Sequence, residues 1–272
     1  MKEYLIAVDM EGVHGVQGEP AEVSLYAIGL GTSEYNKAVA SATQEVNVAV
    51  NALFESGADR VVIWDNHAAR DNLDFAKIDP RAEKLIVDRT QGRLAFLQDY
   101  RFAGIVFIGY HSRAGSINGN LAHTYNGIDI QYMKVNGKQL GEFDFDSHIA
   151  GEYGVPAIFA ASDDVCVRQV LEGNPDVVTV VTKYGKGKRK ADFRDENEVL
   201  SEIAEGVRQA AGKQIPFVKF TYPCAFEIRY SSLDMAEWRM EELSKKLPVS
   251  YGEDAYTICV TLQSVEDLRL FL

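Results

Sequence analysis

The stretch Leu5-Ile6-Ala7-Val8-Asp9-Met10-Glu11-Gly12 decides the fold class of this 272-residue chain. Its first four residues are apolar, which predicts a strand buried on both faces, and the acidic residues after them mark the carboxyl end of that strand. The same design returns in Val61-Val62-Ile63-Trp64 before Asp65-Asn66-His67, and in residues 104–108 before Gly109-Tyr110-His111. Each strand therefore ends in polar residues that can carry chemistry.

Helical patterns lie between these strands. A helix is expected from about Ser33 to Ser56, and two more are expected to begin near Glu142 and Ser162. Strands that alternate with helices predict an α/β fold with a mostly parallel sheet and helices on both faces, followed by a smaller C-terminal α+β portion. We expect a catalytic α/β domain over residues 1–190 and a smaller α+β domain, a candidate for assembly contacts, over residues 191–272.

Two segments beyond residue 180 have their own patterns. The segment from Lys183 to Arg194 holds six basic residues and is punctuated by glycines, so a loop is expected there. Residues 217–230 are rich in β-branched and aromatic residues, and a long strand is expected there.

Composition and charge exclude several classes of protein. The chain has 28 Lys and Arg against 40 Asp and Glu, a net charge of −12, which argues against a nucleic-acid or anionic-membrane binder. No apolar run approaches the roughly 18 residues of a membrane span. Cys166, Cys224 and Cys259 lie far apart, so neither a disulfide framework nor a thiolate zinc site is indicated, and free thiols favour a cytoplasmic location.

The four residues Asp9, Glu11, His67 and His111 form a candidate metal site. The carboxyl ends of parallel strands lie at one edge of a sheet, so these side chains can converge there. Mixed carboxylate and imidazole ligands suit zinc, manganese or iron, and four of them favour two metal ions over one. Each residue also has an ordinary structural explanation, because strand-end carboxylates cap helices and strand-end histidines bind backbone carbonyls.

The remaining candidates are weaker when judged by pattern alone. His123 lies in a polar loop and is either a general acid or base near the metals or a surface histidine. Glu142 opens a predicted helix, where a carboxylate is also favoured by the helix dipole. We assign neither His14 nor His148 to metal.

The combination of motifs resembles the DppA-type zinc D-aminopeptidases, a family of bacterial metallopeptidases. The matching stretches are Val8-Asp9-Met10-Glu11-Gly12, Asp65-Asn66-His67, Gly109-Tyr110-His111-Ser112-Arg113-Ala114, Ala122-His123, Asn136-Gly137, Gly141-Glu142 and Ala236-Glu237-Trp238. The resemblance implies five ligands for two zinc ions, with the first of them bridging: Asp9, Glu11, His67, His111 and Glu142. It also implies His123 as the catalytic histidine, short peptides with an N-terminal D-amino acid as substrates, and a ring-like homo-oligomer.

The chain departs from the family pattern at His14, in the length of the loop from His111 to His123, and most clearly after Gly141. The family tends to have G-E-x-G-x-N-A where this chain has Gly141-Glu142-Phe143-Asp144-Phe145-Asp146-Ser147. Asp144 and Asp146 therefore replace a glycine and an asparagine, and two extra carboxylates near the site would change which peptides or amines fit.

The leading hypothesis is two-metal hydrolysis of a peptide bond, with His123 moving protons rather than acting as a nucleophile. Arg113 and Lys183 are candidates for binding the substrate. A second hypothesis keeps the metals but changes the bond to an L-peptide, another amide or a phosphate ester. A third is a non-catalytic, metal-stabilised assembly protein.

Overall fold

The described residues form a seven-stranded sheet and a five-stranded sheet. The computed structural model describes residues 1–18, 33–68 and 72–272. In the described residues the strands are β1 (Glu3–Val8), β2 (Arg60–Asp65), β3 (Glu83–Lys84), β4 (Phe102–Ile108), β5 (Ile130–Val135), β6 (Lys138–Gln139), β7 (Ala157–Asp163), β8 (Val178–Gly187), β9 (Lys190–Phe193), β10 (Cys224–Tyr230), β11 (Ser250–Tyr251) and β12 (Thr257–Leu262). The α-helices are α1 (Ser33–Glu55), α2 (Glu142–Glu152), α3 (Asp164–Gly173), α4 (Glu196–Gly212), α5 (Leu233–Ser244) and α6 (Val265–Arg269).

The larger sheet has the strand order β3-β2-β1-β4-β7-β8-β9 and is parallel except for its last pair. Strand β1 shows why it is central: Tyr4, Ile6 and Val8 enter one apolar cluster, whereas Leu5 and Ala7 enter the other. Continuous apolar runs are what a parallel strand covered on both faces requires.

Helices cover both faces of this sheet. On one face α1 packs against α4 and contributes Val46 and Leu53 to the core, while α4 contributes Ile203. On the other face α2 and α3 share a cluster with the second sheet, through residues such as Phe145 and Cys166. The predicted fold class is therefore confirmed.

The second sheet is antiparallel, in the order β11-β12-β10-β5-β6. It takes β5 and β6 from the first 190 residues, whereas β9 of the larger sheet begins at Lys190 and runs past it. The second sheet therefore combines strands from both sides of residue 190. The domain boundary expected at that residue stays a prediction.

Two expectations about local structure are wrong. The basic segment from Lys183 to Arg194 is a hairpin of β8 and β9 rather than a loop. Most of its charged side chains are exposed near the end of β8 and on the edge strand β9, whereas Lys183 is buried. In the segment 217–230 the strand begins only at Cys224, after a proline that has no backbone N–H to donate. None of the described helices combines the length and the apolar character needed to cross a membrane.

Candidate metal centre

The candidate site lies at the carboxyl ends of three neighbouring strands. Asp9 follows β1 directly, His67 follows β2 and His111 follows β4. Glu142 is the first residue of α2, and His123 lies in the segment between β4 and β5. The order β2-β1-β4 places the three strand ends side by side, as the parallel sheet predicts.

Two glycines allow the backbone after β1 and the backbone after β4 to approach each other closely. Gly109 has a φ of +74°, and a Cβ atom there would lie 2.0 Å from the carbonyl oxygen of Asp9. A Cβ atom on Gly12 would lie 1.9 Å from the carbonyl oxygen of Tyr110. Both distances are far inside van der Waals contact, so a larger residue at either position would push the strand ends apart.

The structure brings all six predicted residues together. The Nε2 atom of His67 lies 3.4 Å from Oε1 of Glu11. His111 Nε2 lies 3.1 Å from Oε1 of Glu142 and 3.7 Å from Oδ2 of Asp9. His123 Nε2 lies 3.9 Å from Glu11 Oε1 and 3.7 Å from Glu142 Oε1.

Ligand atoms in this cluster fall into three groups among the described residues, and two of the groups share Asp9. In one group, Asp9, Glu11 and His67 each offer an atom within 4.8 Å of the others. Asp9, His111 and Glu142 form a second such group, and Glu11, His111 and His123 form a third. The first two groups together contain all five predicted ligands, and Asp9 is the residue that they have in common.

Each imidazole uses its Nδ1 atom elsewhere and so presents Nε2 to the site. Nδ1 of His67 faces the amide oxygen of Asn72 at 3.3 Å, whereas those of His111 and His123 face the carbonyl oxygens of Ser112 and Leu121 at 3.1 and 2.8 Å. A carbonyl or amide oxygen only accepts, so each Nδ1 carries a proton and Nε2 is the atom left to bind a metal ion once it holds no proton of its own.

Asn72 is the partner of His67 that the sequence analysis missed. Its side-chain nitrogen donates to Asp65 and to the carbonyl of His67, and its backbone N–H donates to Asp65 at 2.6 Å. The hydroxyl of Tyr35 donates to the same amide oxygen that receives His67. These contacts fix the side chain of Asn72 and thereby the ring of His67.

The cluster has the charge pattern of a cation site. Burial raises the pKa of Asp9, and the neighbouring carboxylates of Glu11 and Glu142 raise it further. Burial alone would lower the pKa of His67 and of His111, but the carboxylates around them raise it to about 10 in both cases. Three buried carboxylates therefore demand positive charge at this point of the protein.

The donor set fits divalent transition-metal ions. Glu11 Oε2 and His111 Nε2 are buried, and neither makes a hydrogen bond of regular geometry among the described residues, although Glu142 Oε1 lies 3.1 Å from His111 Nε2. Carboxylate oxygens together with imidazole Nε2 atoms are ligands that zinc accepts. These residues could therefore hold such ions.

His123 is more exposed to solvent than the five other residues of the cluster. Its side chain is 21% exposed, whereas that of Glu142 is 6% exposed. The ring stacks on that of His111, with centroids 3.9 Å apart and an angle of 12° between the planes. Burial lowers the pKa of His123 and the adjacent His111 lowers it further, so the neutral ring is favoured.

The two substrate candidates have other partners. Lys183 is fully buried on β8, and its ammonium donates to the carbonyl oxygens of Glu11, Val13 and Val16. This position favours a role in holding the segment that carries Glu11 over contact with a substrate. Arg113 is partly exposed and pairs with Glu172 at 3.7 Å, so its substrate role stays a prediction.

The two acidic departures from the family pattern have internal partners. Asp144 accepts the backbone N–H of Gly141 at 2.9 Å and so caps α2. Asp146 is fully buried and accepts two hydrogen bonds from Arg93, at 2.5 and 2.7 Å. Both acids therefore serve the protein's own structure, and the expectation that they alter substrate choice loses its main argument.

His14 and His148 lie outside the cluster. Nε2 of His14 donates to the carbonyl oxygen of Arg194 at 2.7 Å. Nδ1 of His148 donates to the carbonyl oxygen of Asp144, and its ring stacks on Phe220 with centroids 4.2 Å apart.

A parallel sheet whose strand ends gather carboxylates and imidazoles is typical of metal-dependent hydrolases. A family model described as D-aminopeptidase, peptidase family M55, matches residues 1–271. The chain belongs to this D-aminopeptidase family, so the resemblance and the predicted class of enzyme, a hydrolase of the aminopeptidase type, are confirmed.

Two relatives show how far the likeness extends. A D-aminopeptidase of Bacillus subtilis (strain 168) is 30% identical over 241 residues, which cover 88% of this chain and 84% of the relative. A solved structure, described as the Zn-dependent D-aminopeptidase DppA from Bacillus subtilis, a self-compartmentalizing protease, superposes with a TM-score of 0.84. That match covers 99% of this chain and 94% of the other at 21% identity, and it supports the α/β fold.

Proposed function

We propose that this metallo-aminopeptidase removes N-terminal D-amino acids from short peptides with two zinc ions. Asp9, Glu11 and His67 would hold one ion, and Asp9, His111 and Glu142 would hold the other. The observation that carries the proposal is that two groups of ligand atoms share Asp9. Within each group the ligand atoms lie within 4.8 Å of one another. Zinc is favoured because the family relative of known structure is described as Zn-dependent.

Bound zinc would supply Lewis-acid polarisation of the scissile carbonyl group and would lower the pKa of a water molecule. The protein's own contribution to proton transfer is His123. Its Nδ1–H is held by the carbonyl of Leu121, so the Nε2 lone pair faces the cluster. Neutral His123 takes a proton from the attacking water and returns it to the leaving amine nitrogen as the peptide C–N bond breaks.

We further propose a homo-oligomer, of the ring-like form that the family resemblance implies, in which this site faces short peptides. The support is the description of the structural relative as self-compartmentalizing. A cytoplasmic location stays a prediction from the cysteine pattern.

The test of the proposal combines metal counting with a panel of substrates. Protein stripped of metal and reloaded is expected to hold about two zinc ions per chain and to release D-Ala from D-Ala-D-Ala. His67→Ala removes a ligand of one group, and we expect it to hold about one. His148→Gln is the matched histidine control, and we expect it to match the wild type.

The rival functions predict different results in the same panel. Faster cleavage of L-Ala-L-Ala would indicate an L-peptidase, and turnover of p-nitrophenyl phosphate would indicate an esterase. Thermal stabilisation by zinc without turnover of any amide would indicate a non-catalytic assembly protein. Failure to bind any zinc would overturn the proposal as a whole.

A further inference from the structure

Arg93 is a largely buried cation beside the candidate metal centre that the proposed function leaves unused. Its side chain is 14% exposed, and its guanidinium donates hydrogen bonds to both carboxylate oxygens of Asp146, at 2.5 and 2.7 Å. The third direction of the fork donates to Oδ1 of Asn66 at 2.9 Å. The guanidinium also lies over the rings of Tyr125 and Trp64, at 4.5 and 5.3 Å from their centroids.

Asp146 also accepts hydrogen bonds from two tyrosine hydroxyl groups. The hydroxyl of Tyr110 donates to Oδ2 at 2.7 Å, and that of Tyr125 donates to Oδ1 at 3.2 Å. Asn66 also donates to the Tyr110 hydroxyl at 3.3 Å. We call the five residues Arg93, Asp146, Asn66, Tyr110 and Tyr125 the arginine hub.

The members of the hub are neighbours of the site residues along the chain. Asn66 directly precedes His67, and Tyr110 directly precedes His111. Tyr125 follows His123 by two residues, and Asp146 lies one helical turn after Glu142. Four segments that are distant in sequence are therefore joined to one guanidinium–carboxylate pair.

Glu142 receives the most direct influence of the hub. The backbone N–H of Tyr125 donates to its Oε1 at 2.7 Å, and Arg93 Nη2 lies 4.0 Å from its Oε2. Because Asp146 holds the guanidinium in a two-point contact, Arg93 stays just outside hydrogen-bond distance of Glu142.

We propose that Arg93 and Asp146 are positioning residues, whose buried pair holds the segments of His67, His111, His123 and Glu142 in the geometry that binds metal. The proposal deepens the proposed function and rests on it where zinc is measured. The planar fork of arginine suits this role, because it directs N–H donors to two different segments at fixed angles.

The first experiment needs no metal. Hydrogen–deuterium exchange of the metal-free protein is compared between the wild type, Arg93→Met and Asp146→Asn. We expect faster exchange in the four segments 66–68, 109–112, 123–126 and 142–146. Faster exchange confined to the neighbourhood of the substituted residue would overturn the proposal.

The second experiment measures zinc affinity by competition with a chelator. Loss of a partner that orients metal ligands weakens metal binding about 10- to 100-fold, and we expect this for both variants. At saturating zinc, kcat is expected to stay below the wild-type value because the segment of His123 is displaced. Arg93→Lys keeps the charge without the fork and is expected to restore neither quantity.

The control breaks a more exposed arginine–aspartate pair elsewhere, with side chains 26% and 41% exposed. Arg229→Met removes the ion pair with Asp254 on the second sheet and is expected to leave both readouts at wild-type values. If Arg93→Met proves too unstable, Asp146→Asn decides alone, since asparagine has nearly the same shape. Wild-type zinc affinity in a folded Asp146→Asn variant would overturn the proposal, whereas a wild type without zinc affinity would contradict the proposed function and leave the exchange experiment to decide the hub.

Discussion

Replacing Lys183 by methionine is expected to destabilise the protein without weakening the binding of substrate. The ammonium of Lys183 lies 2.6 Å from the carbonyl oxygen of Glu11 and 3.0 Å from that of Val13, and it also donates to Val16. Methionine has a similar length but no donor, so three carbonyl groups around a buried site lose their partner.

The magnitude follows from these contacts. A hydrogen bond to a charged group contributes about 1.5–3 kcal/mol when it is measured singly. Three bonds on one buried ammonium are not additive, but a buried acceptor left without a donor costs about 1–3 kcal/mol, so we expect a total loss of about 3–5 kcal/mol for the three carbonyl groups. In a chain of this size that loss lowers Tm by roughly 10 °C.

Calorimetry of the metal-free protein measures this change, and the KM for D-Ala-D-Ala is measured beside it. Lys186→Met on the same strand is the matched control. Lys186 pairs with Asp192 at 3.1 Å on the surface, and its loss should cost less than about 0.5 kcal/mol. A Lys183→Met variant with the Tm of the wild type and a raised KM would refute the reasoning and restore Lys183 as a substrate ligand.

Three further substitutions test separate parts of the molecule. His123→Ala is expected to bind zinc normally and to lose about 100- to 10,000-fold in kcat, and a normal kcat on D-Ala-D-Ala would remove His123 from the chemistry. Asn72→Ala frees the ring of His67 and is expected to weaken zinc binding about 10- to 100-fold in a chelator titration; unchanged affinity would show that the ring needs no such partner. Burial raises the pKa of Glu45 to about 8 from an ordinary value of 4.5, so its protonated form is favoured in the folded state. The stability contributed by protonated Glu45 is fully present below about pH 4.5 and is lost as the pH rises to about 8. The Tm of Glu45→Gln should therefore rise relative to that of the wild type across this range. Parallel plots of Tm against pH for the two proteins would contradict this.

The strand ends were predictable from sequence because the apolar runs before them are unambiguous. Asp9, Glu11, His67 and His111 follow those runs, and parallel pairing then places them at one edge. Glu142 and His123 have no such signal, since a helix start and a polar loop are common settings for these residue types. Only the family resemblance identified them.

The residues that support the site were not predictable in this way. Arg93 and Asp146 are 53 residues apart. Asn72 orients the ring of His67 and is itself held by contacts with Asp65 and Tyr35. Such pairings depend on how loops pack and have no fixed spacing. The one available signal was Asp146 itself, an acid where the family has an amide. The basic segment after Lys183 was misjudged because edge strands carry the same charges and glycines as loops.

The outer strands of both sheets limit how copies of this chain can associate. Strands β3, β6 and β11 have two residues each, and β9 has four, two of them charged. Short and charged edges offer a poor template for pairing with the backbone of another molecule. An assembly of this protein is therefore expected to form through side-chain surfaces on its helices and loops, and the same edges protect its two sheets against growth into fibrils.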